Sequence, residues 1–301
     1  MEHFLHFIIN KQSRKSKEVF RSLLVELPKY TQKYKLYPTK DIDEVNKLLS
    51  ILKNKMDEND IFVVVGGDGS LNQFITLYKK YRFNHLISYI PSGSGNDFAR
   101  THNIPLDTKK AIKDLFQNST EKSLAIIEAK ENSDLLYAVN SIGFGIDGLI
   151  NQIVDSKGNK KDLGALAYIS ALTSAFIKQR KFPVSLITED SEYHFKKAQL
   201  VLVANNPFFG GGINILPEAN GQDDVLDVLI AEDVSLKDLF FIVSKLLTNR
   251  KHLSHRKLHP FKSKKLNIRV NSDQYGQKDG EVFKQKNYNY TFQASKINFW
   301  I

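Results

Sequence analysis

The sequence predicts an α/β protein with a β-rich second half. An N-terminal Rossmann-like, doubly wound parallel sheet is followed by a mostly antiparallel, β-sandwich-like domain. Two observations predict it. Up to about residue 120, short apolar runs alternate with stretches of helical spacing, the pattern of a parallel sheet covered by helices on both faces. Beyond residue 123 strand-like runs follow one another with few helices between them.

Taken in order, residues 4–9 read as the first strand, and Phe20, Leu23, Leu24 and Leu27 follow at helical spacing. Residues 35–37 form a short strand, and Val45, Leu48, Leu49 and Leu52 mark a second amphipathic helix. Residues 61–65 are a run of branched apolar residues, as expected of a strand buried on both faces. Leu71, Phe74, Ile75 and Tyr78 then mark a helix, residues 86–90 another apolar strand, and Ile112, Leu115 and Phe116 a further helix. In the second half, residues 124–129, 135–142, 184–188, 198–204, 225–231, 266–270 and 288–294 read as strands, with helices near 163–178 and 235–248. The expected domains are residues 1–123 and 124–295, with no Pro/Gly linker between them. The last strand, 296–301, can return to the first domain, and the sequence does not decide this.

A chain of 301 residues with 42% hydrophobic and 25% charged residues has enough apolar material for a real core. The absence of cysteine excludes disulfides and thiolate metal sites, and fits a reducing cytoplasm. The N-terminus lacks signal-peptide character, and no uncharged apolar stretch reaches the roughly 20 residues of a membrane span. The longest candidate, residues 163–177, is broken by Ser and Thr. Its near-continuous apolar character reads as core, or as the wall of an acyl-chain cleft. A net charge of +10 favours an anionic partner: a nucleotide, an acidic membrane or nucleic acid.

The strand at 61–65 ends in Gly66-Gly67-Asp68-Gly69-Ser70-Leu71-Asn72. Glycines on a strand-to-helix turn let backbone N–H groups approach phosphate oxygens, at the sheet edge where open α/β folds bind ligands. The helix N-terminus behind adds partial positive charge. Asp68 would reach phosphate only through a Mg²⁺ ion. The plain alternative is a tight turn with an Asp cap. A second such turn, from Pro91 through Ser92-Gly93-Ser94-Gly95-Asn96-Asp97 to Arg100, follows the strand at 86–90, which would lay the two side by side.

These two turns, with Gly143-Phe144-Gly145-Ile146-Asp147, Asn205-Asn206, Gly210-Gly211-Gly212, residues 217–228 and Asp279-Gly280-Glu281, resemble the catalytic domain of the diacylglycerol kinase family, in its bacterial lipid kinase branch. They occur in the family's order and span nearly the whole chain. Three departures stand out: Ser70 replaces the usual Thr, the first loop (residues 10–15) lacks the usual Pro and Gly, and Asp224 stands where Gly is usual.

The resemblance implies ATP-dependent phosphorylation of a lipid hydroxyl between the domains, with diacylglycerol the favoured acceptor. Gly66, Gly67, Gly69 and Ser70 would cradle phosphate, helped by Asn10, Ser13, Arg14, Asn72 and Ser94, with Thr39 bordering the nucleotide. Asp68 would hold the catalytic Mg²⁺. A structural Mg²⁺ would sit on the Asp223 side chain and on carbonyls near Asn220 and Val225. Glu281 is favoured as the base, with Asp279 close behind; in an extended segment the two would project to opposite sides.

Other motifs point elsewhere only weakly. Gly143 to Gly148 matches G-x-G-x-x-G, but the polar residues 155–162 stand where a βαβ unit needs a second strand. No G-x-x-x-x-G-K-[ST] or H-E-x-x-H occurs. His252, His255 and His259 lie amid Arg250, Lys251, Arg256 and Lys257, which reads as a solvated basic surface rather than a metal site. The basic run 250–265 is expected to support weak, salt-sensitive contact with an anionic inner membrane face, without an insertion helix. Nucleic acid is not expected, since no binding motif accompanies the charge. A homodimer is left open. The rival readings are a NAD kinase-like phosphotransferase, whose family shares the Gly-Gly-Asp-Gly turn, and a non-catalytic nucleotide-binding protein of the membrane surface.

Overall fold

The computed structural model describes residues 3–156 and 165–301. Two compact units emerge. Unit 1 comprises Met1–Ala125, Gly210–Gly212 and Lys296–Ile301, and unit 2 comprises Ile126–Phe209 and Ile213–Ser295.

Unit 1 runs β1 (Leu5–Asn10), α1 (Ser16–Glu26), β2 (Tyr34–Thr39), α2 (Ile42–Leu52), β3 (Ile61–Gly66), α3 (Asp68–Lys80), β4 (Leu86–Pro91), α4 (Asp97–Thr101) and α5 (Thr108–Gln117). The strands are parallel in the order β2-β1-β3-β4. Every residue of β3 is buried, as the apolar run requires. Asp41 caps α2 by accepting from Glu44 N, and Asp107 caps α5 by accepting from Lys110 N. Leu5, Phe7 and Ile9 of β1 pack with Val63, Val65, Leu23 and Ile112 into one core, each such side chain contributing about 1.5–3 kcal/mol by burial.

Unit 2 carries most of β5 (Glu121–Glu131), then β6 (Asp134–Ala138), β7 (Ser141–Gly145), α6 (Ile146–Ser156), α7 (Ala165–Lys178), β8 (Phe182–Ile187), β9 (Glu192–Ala204), β10 (Phe208–Phe209), β11 (Ile213–Asn214), β12 (Leu226–Glu232), α8 (Leu236–Thr248), β13 (Leu258–Ser263), β14 (Lys265–Val270), β15 (Gln274–Lys278), β16 (Glu281–Gln285) and β17 (Tyr288–Trp300). Its pairings from β7 through β16 are antiparallel, in the order β16-β15-β7-β9-β8-β14, with β12 between β9 and β13. β14 pairs antiparallel with residues 288–293 of β17. The end of the same strand belongs to unit 1, where Phe299 lies opposite Ile87 of β4 in parallel and Trp300 Nε1 donates to Leu115 O.

This is the fold class the sequence predicts, with local corrections. The single strand expected at 135–142 is two, because the N–H groups of Val139, Asn140 and Ser141 donate to the Asp279 carboxylate. A helix, α6, follows β7 directly where none was expected. Its signal was Ile146, Leu149, Ile150 and Ile153, which are buried at helical spacing. The strands β13, β15 and β16 were missed because their residues are largely polar or charged. His252 is buried and its Nε2 meets Ile215 O, so it is not part of a solvated surface. Of the apolar stretch 163–177, Leu163 and Gly164 lie outside the described residues. In α7, Ala175 and Phe176 are buried and Ile177 is exposed. Of the polar stretch 155–162, residues 157–162 also lie outside them.

Candidate active site

The carboxyl edge of the parallel sheet brings Asn10, Thr39, Gly66 and Pro91 level, because these four residues end β1, β2, β3 and β4 in register. Asn10 Nδ2 donates to Ser70 Oγ at 2.8 Å, and Asn10 Oδ1 accepts from Gln12 N, so one side chain ties the first loop to the start of α3. Ser13 Oγ meets Ser92 Oγ at 2.8 Å, joining that loop to the second glycine turn. Thr39 Oγ1 donates to Ile9 O. The two glycine turns touch backbone to backbone: a Cβ on Gly93 would stand 2.5 Å from Gly67 Cα, so only glycine fits there. At Gly69 the space a side chain would fill is open.

Asp68 is half-buried, and its carboxylate accepts from the N–H groups of Asp97 at 3.1 Å and Phe98 at 3.0 Å, at the start of α4. Asp68 thus fastens the second turn to the first. Asp97 is buried beside it, and its Oδ2 accepts from Gly211 N, drawing Gly210–Gly212 into unit 1. Burial, and then the Asp68 charge, push the Asp97 carboxyl up to about 6. Asp97 Oδ1 is buried without a hydrogen-bond partner among the described residues. Two carboxylates so arranged, one with an unspent buried oxygen, fit a hard divalent cation.

A cavity of about 310 Å³ opens along this edge, lined by Asn10, Thr39, Asp41, Val45, Ser70 and Gln73 among others. It unites Asn10, Thr39 and Ser70 of the expected nucleotide residues. Ser94 and Arg14 are exposed and Ser13 is half-buried, none of them lining the cavity. Asn72 stands apart from these residues. It is fully buried on the inner face of α3 with Leu71 and Ile75, and it does not line the cavity.

In unit 2, Asp279-Gly280 is the two-residue tip of the β15–β16 hairpin, with Lys278 paired to Glu281. Both tip residues have positive φ, 45° and 85°, the conformation for which Asp-Gly is favoured. The segment is thus a reversed turn rather than extended, and the two acids are separated by it. Asp279 is anchored: its oxygens accept from Val139 N (2.6 Å), Asn140 N (2.9 Å) and Ser141 N (3.0 Å). Glu281 is more open, its side chain 39% exposed, with Lys278 Nζ at 3.7 Å.

Two residues of this region were given no role from the sequence. Gln277 is fully buried; its Nε2 donates to Asp147 Oδ2 at 2.7 Å, and its Oε1 accepts from Gly280 N at 2.8 Å. Asp147, at the start of α6, is buried, and desolvation pushes it up to about 7. It lines an apolar cavity of about 120 Å³ walled by Ile150, Phe176, Leu202, Ile242 and Leu246 among others. For Asp147, an acid two residues beyond a strand end was the available signal.

Because Asp147 holds its proton more tightly when folded than when unfolded, its stabilising contribution is complete below about pH 4 and is lost as the pH rises through about 7. We expect thermal stability to fall over that window, by on the order of 2–4 kcal/mol from this residue. In Asp147→Asn the fall should be smaller. Equal pH slopes for the two proteins in thermal melts would exclude Asp147 as the group responsible.

Asp223, Asn220 and Val225 form a turn ahead of β12. Asp223 Oδ1 accepts from Val225 N, Asn220 O accepts from Asp223 N, and Asn220 Oδ1 accepts from Gln222 N. No cluster of three or more His, Cys, Asp or Glu suited to a metal occurs among the described residues. Asp227, buried on β12 and 3.6 Å from Lys262, is pushed up to about 6, chiefly by desolvation.

Fold and site together define a parallel α/β unit with two glycine turns at its carboxyl edge, joined to a β-sandwich-like unit. The family described as "Diacylglycerol kinase catalytic domain" matches residues 4–127, and "YegS C-terminal NAD kinase beta sandwich-like domain" matches residues 140–297. The chain belongs to this diacylglycerol kinase-like family.

A "Putative lipid kinase" of Staphylococcus epidermidis is 28% identical over 194 residues, covering 64% of this chain and 61% of that protein, so this chain spans less than two thirds of its length. "Putative lipid kinase YtlR" of Bacillus subtilis is 26% identical over 298 residues, covering 94% of each. "A putative diacylglycerol kinase from Bacillus anthracis str. Sterne" superposes with a TM-score of 0.79 at 19% identity, over 99% of this chain and 97% of that one, which establishes the shared fold. No described helix is long and apolar enough to cross a membrane.

Proposed function

We propose that the chain is an ATP-dependent lipid kinase that phosphorylates a lipid hydroxyl, converting diacylglycerol to phosphatidate at the inner membrane face. The observation that carries the acceptor assignment is the apolar cavity of unit 2. Its wall is aliphatic and aromatic, with buried Asp147 linked through Gln277 to Gly280, the residue before Glu281. Such a lining suits an acyl chain and would strip a dinucleotide of its water without compensation.

Unit 1 supplies the nucleotide side. The backbone N–H groups of the glycine turns, with Asn10 and Ser70, receive phosphate, and the cavity bordered by Thr39 receives the rest of the nucleotide. Asp68 and Asp97 would hold Mg²⁺, which neutralises phosphate charge when bound. Asp223, with carbonyls near Asn220 and Val225, would hold a second, structural ion. Glu281 takes the proton from the acceptor hydroxyl as that oxygen bonds to the γ-phosphorus and the bond to the β-phosphate oxygen breaks, releasing ADP.

Radiolabelled ATP supplied with mixed micelles of diacylglycerol, phosphatidylglycerol or a sphingoid base tests this, with NAD as a parallel acceptor. Label in phosphatidate is the expected result. Label in NAD alone would establish the NAD kinase-like reading, and turnover of none would leave a nucleotide-binding protein.

A further inference from the structure

We propose that the outward face of α8 is a docking surface for an anionic lipid bilayer, with its aromatic residues in the apolar layer and a cationic rim on the headgroups. The helix is apolar on nearly every side. Its inward residues Leu239, Ile242, Val243 and Leu246 line the apolar cavity. Its outward residues are uncovered: Leu236 is 44% exposed, Phe240 60%, Phe241 51% and Leu247 63%. A helix hydrophobic all round is normally buried, and clustered exposed aromatics mark an interaction surface.

The surrounding charge selects the occupant. From Leu236 to Lys257 the chain carries six Lys and Arg (Lys237, Lys245, Arg250, Lys251, Arg256, Lys257) against one acid, Asp238. That acid is already engaged: Asp238 Oδ2 lies 2.7 Å from Lys257 Nζ, and the same carboxylate completes the capping box with Ser235. Lys237, Arg250, Lys251 and Arg256 are exposed, and Lys245 Nζ sits 4.6 Å over the Phe241 ring. A two-fold dimer through this face would bring one cationic rim against another. An anionic leaflet satisfies both the apolar face and the rim. The inward face of the same helix borders the cavity assigned above to an acyl chain. That link to catalysis rests on the lipid-kinase reading; the docking surface itself does not.

The test is co-sedimentation without ATP, using vesicles of phosphatidylcholine alone or mixed with phosphatidylglycerol, at low and high salt. Wild type should bind the mixed vesicles and keep part of that binding at high salt. Phe240→Ser combined with Leu247→Ser alters only exposed positions outside the cavity lining. It should weaken binding about tenfold or more and remove the salt-resistant part. Its turnover on a short-chain diacylglycerol dispersed in detergent should match wild type. Wild type that ignores mixed vesicles, or a double variant that binds as wild type does, overturns the proposal. So does a wild-type dimer that becomes monomeric in the double variant with vesicle binding unchanged, since the face would then be covered by a second copy. Vesicle binding by a protein that phosphorylates no lipid would sink the kinase reading and leave this surface standing.

Discussion

Glu281→Gln is expected to lower kcat by roughly 100-fold or more with little change in ATP affinity, the usual scale for loss of a general base. The substitution keeps the shape of the side chain and removes its capacity to accept a proton. The hairpin geometry separates the two acids of the motif. Asp279 spends its oxygens on three backbone N–H groups, while Glu281 stands more open beyond the turn. Asp279→Asn should therefore act through stability, because its new amide N–H would face a backbone N–H donor at Val139 or Asn140, a cost of about 1–3 kcal/mol. Steady-state kinetics with thermal melts on both variants decide the matter. A nearly wild-type Glu281→Gln beside a well-folded, inactive Asp279→Asn would reverse the roles.

Asp68→Ala should reduce turnover about 1000-fold or more, since a metal-held phosphate contact contributes several kcal/mol to the transition state. It should also lower stability by about 1 kcal/mol, because the first N–H groups of α4 lose their acceptor. Asp68→Asn keeps one acceptor oxygen for that helix and should recover part of the stability and none of the activity. Calorimetry with and without Mg²⁺, alongside turnover, separates the two effects. A fully active Asp68→Asn would remove the carboxylate from the metal.

The parts legible in the sequence were those where one physical demand dominates. Strands such as Ile61–Gly66, buried on both faces, must be continuously apolar, and the glycines after them mark places where backbone approaches backbone, as at Gly67 and Gly93. What escaped notice depends on partners far away in the chain. Gln274–Lys278 looks like a polar loop, yet it pairs with β7, and Gln277 is fully buried because Asp147 and Gly280 satisfy its amide. The buried acids Asp97 and Asp147 were given no role because an acid in a glycine-containing turn reads as turn chemistry until its desolvation is visible. The burial of Asn72 was not legible either, because its place beside Ser70 says nothing of which side of α3 it faces.

The division of unit 1 into three stretches of chain constrains the order in which the protein can be assembled. Residues 1–125 emerge from the ribosome first, yet their sheet lacks its flanking strand until residues 296–301 arrive, when Phe299 settles beside Ile87 and the backbones of Thr120 and Ile301 exchange hydrogen bonds. All of unit 2 is synthesised in that interval. The first-made part therefore waits with β4 uncovered along one side, an open template for mispairing, while the later-made part has every residue it needs. Completion of the α/β unit therefore comes after synthesis of the β-rich one, and a nascent chain stalled before residue 296 would carry a finished β-rich unit on an unfinished α/β one.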